Sequence, residues 1–342
     1  MIRLVQPTCV LLAFLSLAGI ALGQEPKVNQ NDESAEDAVS LSIKDDQVAV
    51  SIGGQPFTSY VSKGLGKPVL YPIYAPGKIP VTRNWPIVKD VEGEAHDHPH
   101  HKSMWISHEI NGIDFWAEKG GHVRSDSLET EFEGSTSNAI RATSSWLKKT
   151  DDSVVLTDTT TFWFGGDSDS RWINCLVTFK ATQGDVTFDD TKEGVFAIRT
   201  HPDLRLKPNK KQGVTEVFGS AINSEGVAGP AIWGKPAKWV LYYGKIDGQP
   251  ISIAMFDHPS NLRHPTMWHA RDYGLVAANP FGMHHFLGKP KGTGEVTIAK
   301  GSTLSLRYRL EIFASEVDRE RVEAKWNAFA KQELVELKTK QR

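Results

Sequence analysis

The stretch DHPHHKSMWISHEINGIDFW, residues 97–116, concentrates side chains that could do chemistry. It holds four of the chain's twelve histidines, three carboxylates and two tryptophans. Imidazole and carboxylate groups move protons near neutral pH and bind metal ions, and indole faces can hold a sugar ring. The stretch therefore indicates a metal site, an acid–base site for a sugar, or a packed strand pair whose polar side chains have no catalytic role.

The other histidines are clustered as well. His258, His264 and His269 share a second segment, and His284 and His285 follow it closely. In a chain rich in short strands, such clusters predict strand ends that converge on one site.

A metal site is one interpretation of these clusters. Imidazole suits copper, iron or zinc, and catalytic sites of these metals need about three protein ligands with one open position. His201-Pro202-Asp203 matches the His-x-Asp part of a two-histidine, one-carboxylate iron site. The candidate ligands are His98, His101, His201, His258 and His269.

Acid–base chemistry on a sugar is the other interpretation. It requires a proton acceptor, a proton donor and aromatic faces on which the sugar can rest. All three kinds of group occur near the histidine clusters. The aromatic candidates are Trp105, Phe115, Trp116, Trp268 and Phe281, and the carboxylates are Asp114, Glu193, Asp257 and Asp272.

Two further segments carry polar groups that could line a ligand-binding site. In EGVFAIR, an extended strand would project Glu193 and Arg199 to the same side. The segment from Asp257 to Arg271 is a long polar connection with three histidines, two arginines and an asparagine, and such loops tend to bind ligands.

Composition excludes some classes of partner. The chain of 342 residues is 39% apolar and 23% charged, with a net charge of −2, which is typical of a soluble globular protein. There is no basic excess that would predict a nucleic-acid partner.

The N terminus resembles an export signal. Arg3 precedes an apolar run from Val10 to Leu22, and small residues end at Gly23 before Gln24. Residues 1–23 are thus predicted to be a signal peptide cleaved near Gly23 and Gln24, which gives a periplasmic or secreted protein. The run is too short to predict a membrane span. Cys175 would then be the single cysteine of the mature chain, so no intramolecular disulfide is predicted.

The elements that must position these groups are mainly strands. Residues 24–38 are polar and acidic and predict a disordered linker. From residue 39 to about 314, short segments alternate apolar and polar residues and are separated by turn residues. The clearest segments are Val154 to Phe164, Arg171 to Lys180, Val186 to Arg199, Trp239 to Phe256 with a turn at Asp247-Gly248, and Thr303 to Phe313. This pattern predicts a mainly β fold, a large antiparallel β-sandwich.

Residues 315–342 predict a C-terminal helix and tail. Ser315 and Asp318 form a capping box, and Val322, Trp326 and Leu337 belong to one apolar helical face.

Three segments together resemble the PmoA-like family of bacterial proteins: residues 97–116, KEGVFAIR, and FDHPSNLRHPTMWHARDYGLVAANPFG. The resemblance covers about residues 45–313. It implies a β-supersandwich of the galactose-mutarotase type, in which sugar-active members commonly use a histidine with a glutamate or aspartate. Similar domains also occur joined to sugar-type oxidoreductase domains, which favours a carbohydrate substrate. The family name derives from a methane monooxygenase subunit that is an integral membrane protein, whereas this chain has no predicted membrane span.

The resulting hypothesis is an exported carbohydrate-active protein that acts on a sugar or glycan without a cofactor. The reaction would be a hydrolysis, an elimination or an epimerisation. Glu193 or Asp257 would act as base, and His101 or His269 as acid. The predicted substrate-binding residues are His98, Trp105, Asp114, Trp116, Arg199, His201, His258, Asn261, Arg263, Trp268, Arg271, Asn279 and Phe281. A copper- or iron-dependent oxygenase and a glycan-binding protein without turnover are the two alternatives.

Overall fold

The computed structural model describes residues 38–130, 132, 138–210, 215–333 and 337. The predicted signal peptide lies outside the described residues, as does the predicted linker except for Ala38.

Strands dominate the described part of the chain. They are β1 (Val39–Lys44), β2 (Gln47–Ile52), β3 (Gln55–Val61), β4 (Val69–Ala75), β5 (Ile79–Pro80), β6 (Met104–Ile110), β7 (Ile113–Asp114), β8 (Gly121–Glu129), β9 (Ala139–Lys148), β10 (Val154–Gly166), β11 (Ser170–Lys180), β12 (Val186–Phe188), β13 (Gly194–Arg199), β14 (Ser220–Asn223), β15 (Trp239–Ile246), β16 (Gln249–Asp257), β17 (Met267–Trp268), β18 (Leu275–Asn279), β19 (Val296–Ile298) and β20 (Thr303–Phe313). The α-helices are α1 (Met283–Leu287) and α2 (Arg319–Lys331), and short 3₁₀ turns include Pro76–Lys78, Pro202–Leu204 and Gly229–Ile232.

Within the described residues, these strands form two antiparallel sheets. The first sheet has the order β1-β2-β3-β4-β6-β13-β18-β17, with the short strands β5, β7, β12 and β19 attached beside it. The second has the order β14-β15-β16-β20-β11-β10-β9-β8. The predicted fold class, a large antiparallel β-sandwich with a C-terminal helix, is confirmed.

The main core lies between the two sheets because their strands alternate apolar residues toward each other. Met104, Phe196 and Ile198 of the first sheet and Phe162 and Ile173 of the second belong to one buried apolar cluster. Successive strand residues point to opposite faces. Trp105, Ala197 and Arg199 therefore face away from the second sheet. We call this side of the first sheet the outer face.

One predicted strand is interrupted. The apolar run from Val186 to Arg199 forms two strands, β12 and β13, with residues 189–193 as a loop between them. The carboxylates of Asp189 and Asp190 accept hydrogen bonds from backbone N–H groups of Gly112, His284 and Gly294, so this loop is tied to neighbouring segments. Glu193 consequently lies in the loop rather than in the strand.

Helix α2 covers part of the second sheet. Val322, Trp326 and Phe329 pack with Trp239 and Phe256 in a separate apolar cluster. The predicted capping box is wrong in detail, because Asp318 itself is the N-cap: its carboxylate accepts a hydrogen bond from Arg321 N at 2.8 Å. The helix ends at Lys331, so Leu337 lies beyond it.

In the part of the chain that the structure describes, no helix is long and apolar enough to span a membrane.

Candidate functional site

A row of residues crosses the outer face over four neighbouring segments. Strand pairing sets Trp105 opposite Ala197 and Ala197 opposite Ala277, and the backbones of Ala277 and His269 exchange two hydrogen bonds. Paired residues of neighbouring strands project to the same face. The two small alanines thus separate the indole of Trp105 from the imidazole of His269.

A second row lies two residues further along the same strands. Arg199 pairs with Leu275, and Arg271 N donates a hydrogen bond to Leu275 O at 2.8 Å. Because side chains repeat every two residues, Arg199 and Arg271 share the outer face with Trp105 and His269. The tight turn between Arg271 and Leu275 carries Tyr273, whose ring lies 4.5 Å from Arg199 Cζ and 5.4 Å from Arg271 Cζ.

Aromatic rings stack beside these rows. His98 is nearly parallel to both His101 and Tyr273, with centroid distances of 4.7 and 5.0 Å, and His101 stacks on Trp105 at 5.3 Å. Trp116 lies 5.1 Å from Trp105.

The tautomer of His101 follows from its partner. Arg199 Nη1 lies 3.2 Å from His101 Nδ1, and a guanidinium can only donate, so Nδ1 accepts and Nε2 carries the hydrogen. Burial, together with the charge of Arg199, lowers the pKa of His101 well below its usual value, so the ring is neutral at pH 7.

Asp97 holds the arginines of this site. Its Oδ1 accepts hydrogen bonds from Arg83 Nη1 at 2.5 Å and Arg199 Nη2 at 3.0 Å, and its Oδ2 lies 3.3 Å from His98 Nδ1. Burial would raise the pKa of Asp97, but the close contact with His98 and the charges of the two arginines outweigh burial and lower it well below its usual range.

Glu193 and His269 form a loose pair at the other end of the first row. Glu193 Oε2 lies 3.7 Å from His269 Nδ1, and Glu193 Oε1 lies 2.7 Å from Lys192 Nζ. Burial lowers the pKa of His269 to about 3, and the charges of Arg271 and Lys192 add to the shift. His269 is therefore a neutral imidazole at pH 7.

Two buried side chains hold the loop that carries Glu193. The ring of His108 lies between two backbone carbonyls, with Nδ1 2.6 Å from Glu193 O and Nε2 2.9 Å from Asp189 O. Asn279 Nδ2 donates to Thr191 O at 2.9 Å. Asn279, predicted to bind substrate, thus contacts the loop.

The outer face contains buried polar atoms that have no hydrogen-bond partner among the described residues. They are Trp105 Nε1, Trp116 Nε1, Ser107 Oγ and both ring nitrogens of His269. Leaving a buried polar group unpaired costs about 1–3 kcal/mol, so such a concentration calls for water or a polar ligand. A half-buried rim of Asp97, His98, Glu193, Arg271 and Tyr273 borders these atoms.

A second charged cluster lies beside Trp105. Lys67 Nζ and Lys102 Nζ both donate to Glu118 Oε1, at 2.5 and 2.6 Å, and Lys67 Nζ lies 5.8 Å from the Trp105 ring. Burial lowers the pKa of Lys67 to about 8 despite the charge of Glu118, and the charge of Lys102 acts in the same direction as burial.

Asp257 lies in a different environment. It is fully buried at the end of β16, and its carboxylate accepts hydrogen bonds from Asn261 Nδ2, His264 Nδ1 and Thr266 N at 2.7 to 2.9 Å. Burial raises its pKa even though these donors oppose the shift. His264 stacks on Trp326 of α2. This network fixes the connection from the second sheet to the first, so we do not include Asp257 in the candidate site.

The remaining predicted residues have mainly structural contacts. Arg307 Nη1 donates to His258 Nε2, and Arg263 Nη1 donates to two backbone carbonyls. Trp268 belongs to the main core, where its Nε1 donates to Ala237 O, and Phe281 stacks on Phe188. His201 caps the 3₁₀ turn at Pro202–Leu204. Asp114 accepts a hydrogen bond from Ala117 N at 2.7 Å.

The candidate metal ligands do not converge on one point. Within the described ranges, no three histidine, cysteine, aspartate or glutamate side chains are grouped so that they could hold a metal ion. His98 and His101 are neighbours, but their rings stack face to face, so their nitrogens do not converge on one point. These residues do not fit a metal, and we derive no chemical step through one.

Sequence reasoning did not select Asp97, Tyr273, Lys67 or Lys102. Asp97 and Tyr273 lie inside the polar segments that were singled out, so a signal was present. Lys67 gave no signal, because it is one of two lysines in a glycine-containing turn.

The fold and site define a two-sheet β-sandwich with an ionisable, aromatic outer face. The chain belongs to the family of unknown function DUF6807, whose model matches residues 47–327. A comparison with curated proteins finds no match.

Several solved structures are similar to the chain. A putative aldose 1-epimerase from Escherichia coli K12 has a TM-score of 0.34 and 10% identity, over 81% of this chain and 99% of that chain. Heparan sulfate lyase HepC from Pedobacter heparinus has a TM-score of 0.36 and 8% identity, over 83% of this chain and 36% of that chain. The galactosidase domain of the alpha-galactosidase-sucrose kinase AgaSK has a TM-score of 0.42 and 9% identity, over 81% and 42%. These TM-scores are below 0.5, so the likenesses carry no argument about function.

Proposed function

We propose that this protein acts on a carbohydrate by acid–base chemistry at the outer face of the first sheet. The observation that carries the proposal is the pair Glu193 and His269, 3.7 Å apart, beside buried polar atoms that lack partners. A sugar offers many hydroxyl groups that both donate and accept, so it could satisfy several of these atoms at once.

Glu193 is the proposed base. Its carboxylate is about a quarter exposed at the rim and can accept a proton from a bound hydroxyl or carbon. His269 is neutral at pH 7, so it is proposed to orient the reacting hydroxyl by a hydrogen bond rather than to act as an imidazolium acid.

Tyr273 is the proposed proton donor. Burial raises the pKa of its phenol, although the charges of Arg199 and Arg271 oppose the shift, so the hydroxyl is protonated at pH 7. His101, the other predicted acid, is neutral and presents an Nε2–H that can donate a hydrogen bond. Asp257 is not given a role, because three donors already occupy its carboxylate.

The test is a panel of glycosides and oligosaccharides followed by proton NMR, which detects hydrolysis, elimination and epimerisation in one measurement. Glu193→Gln keeps the size of the side chain and removes the base, so turnover should fall by about 10²-fold or more. Glu225→Gln is the matched control, because Glu225 is an exposed carboxylate in the turn after β14. Equal turnover by wild type and Glu193→Gln would contradict the assignment of the base.

The two alternatives make different predictions in the same experiment. A metal-dependent oxygenase would lose its activity after treatment with a chelator and regain it with copper or iron. A glycan-binding protein would bind a member of the panel without product formation, and Glu193→Gln would leave that binding intact. Export with cleavage near Gly23 and Gln24, and the relation to the PmoA-like family, stay predictions from the sequence.

A further inference from the structure

Two carboxylates in this region are each shared by two cations. Asp97 contacts both Arg83 and Arg199, and both arginine side chains are only 1% exposed. Glu118 contacts both Lys67 and Lys102, whose side chains are 0% and 9% exposed. Each cluster of two cations and one carboxylate therefore retains one positive charge that its carboxylate does not neutralise.

Burying such a charge is costly. An unpaired buried ion loses its hydration without compensation, and the charge is stabilised when an anion of good geometry approaches it. Burial, followed by the nearby charge of Arg83, lowers the pKa of Arg199 to about 9, which is the effect expected of a guanidinium short of negative partners.

Arg271 adds a further cation to the same face as Arg199. It is half-buried, and its guanidinium forms no ion pair with any residue that the structure describes. Arg199 and Arg271 flank Leu275 in the second row, and both guanidinium groups lie against the ring of Tyr273. Glu193 and Lys192 neutralise each other at the opposite end of the first row.

We propose that the sugar carries a carboxylate, that Arg271 receives this group at the Tyr273 end of the outer face, and that the buried Arg199 supplies positive charge behind it. This inference rests on the proposed function and adds the substrate class to it, an acidic sugar of the uronic-acid type. A planar carboxylate matches the planar fork of a guanidinium, which donates two parallel hydrogen bonds. The hydroxyl-bearing part of the ring would then extend toward His269 and Glu193.

Calorimetric titration at low ionic strength tests this inference, because screening by salt would hide part of the charge effect. The probes are methyl glucuronide, its methyl ester and methyl glucoside, together with the same three forms in the galactose series. The ester preserves the shape of the acid and removes only the charge. The free acid of at least one series should bind about tenfold or more tightly than its ester.

The variants locate the anion. Arg271→Gln should reduce the ratio of the affinity for the acid to the affinity for its ester about tenfold. The affinity for the ester itself should stay nearly unchanged. Arg124→Gln is the matched control, since Arg124 is exposed on β8 of the second sheet and pairs with Asp126. Because the half-buried Arg271 is less needed for folding than the buried Arg199, Arg271→Gln keeps the test informative even if Arg199→Gln fails to fold.

Each outcome has a separate meaning. If acid and ester bind equally, the acidic-sugar inference is wrong and the proposed function stands. If a 6-sulfated glucoside binds more tightly than the glucuronide, the carboxylate assignment is wrong. If neither neutral nor acidic sugars bind, both the inference and the proposed function fall.

Discussion

At the scale of single residues, small side chains determine what the outer face can present. Ala197 and Ala277 leave the space between Trp105 and His269 free of larger side chains. Gly194 begins the strand that carries Ala197 and follows the proposed base directly. Its φ is +144°, a region that L side chains rarely adopt.

Gly194→Ala should be strongly destabilising. Besides the unfavourable φ, an added Cβ would collide with His108 Nδ1 and lie 3.1 Å from Ser107 O. We expect a loss of roughly 2–4 kcal/mol in the free energy of unfolding, measured by denaturant titration. Gly184→Ala is the control, because its added Cβ would meet no atom within 4 Å. A Gly194→Ala protein with the wild-type midpoint would show that the loop has an alternative conformation.

The sequence predicted several members of the site because their chemistry is visible in the residue type. Glu193 and Arg199 come from one segment and His269 from another, and the pairing of β13 with β18 brings the two segments together at one face. Asp257 was selected for the same reason, yet it is buried among donors. A carboxylate that binds a ligand and one that fixes a loop look alike until the neighbours of each oxygen atom are known.

At the scale of elements, regular alternation predicted strands well and their ends less well. Strand β20 has the predicted bounds, Thr303 to Phe313, because its period-two pattern has no break. Strands β12 and β13 were predicted as one, since the apolar residues on both sides of the loop mask the turn made by Asp189 and Asp190. The capping box was misplaced because both Ser315 and Asp318 can cap a helix, and only tertiary packing chooses between them.

Helix α2 offers a direct test of its N-cap. Asp318→Ala removes the acceptor for Arg321 N and should lower stability by about 1 kcal/mol. Asp318→Ser should restore most of the loss, because serine also caps helices well. Thermal unfolding followed by circular dichroism would compare the three proteins. If Asp318→Ala and wild type unfold together, the cap contributes nothing to the stability of the fold.

At the scale of the whole molecule, one carboxylate is buried between the two sheets. Asp158 lies on β10 in a small cavity that is also lined by Tyr60 and Ser144. Trp146 Nε1 donates to its Oδ2 at 2.8 Å and Thr160 Oγ1 to its Oδ1 at 2.7 Å. Burial raises the pKa of Asp158 to about 6, although both hydrogen bonds oppose the shift.

This carboxyl group should make stability depend on pH in a predictable direction. Its ordinary pKa is 3.8, so from about pH 4 to about pH 6 the folded protein retains a proton that the unfolded chain has released. The contribution of Asp158 to stability is thus greatest below its unfolded pKa and decreases as pH rises, by about 3 kcal/mol in total.

The variant Asp158→Asn cannot ionise. Unfolding titrations at low and neutral pH should therefore show the wild type losing about 3 kcal/mol of stability relative to this variant. Asp46→Asn, at an exposed position, should follow the wild type at both values. A constant difference between wild type and Asp158→Asn across this range would mean that the buried group does not change its protonation on folding, and that water or a rearranged neighbour stabilises the charge between the sheets.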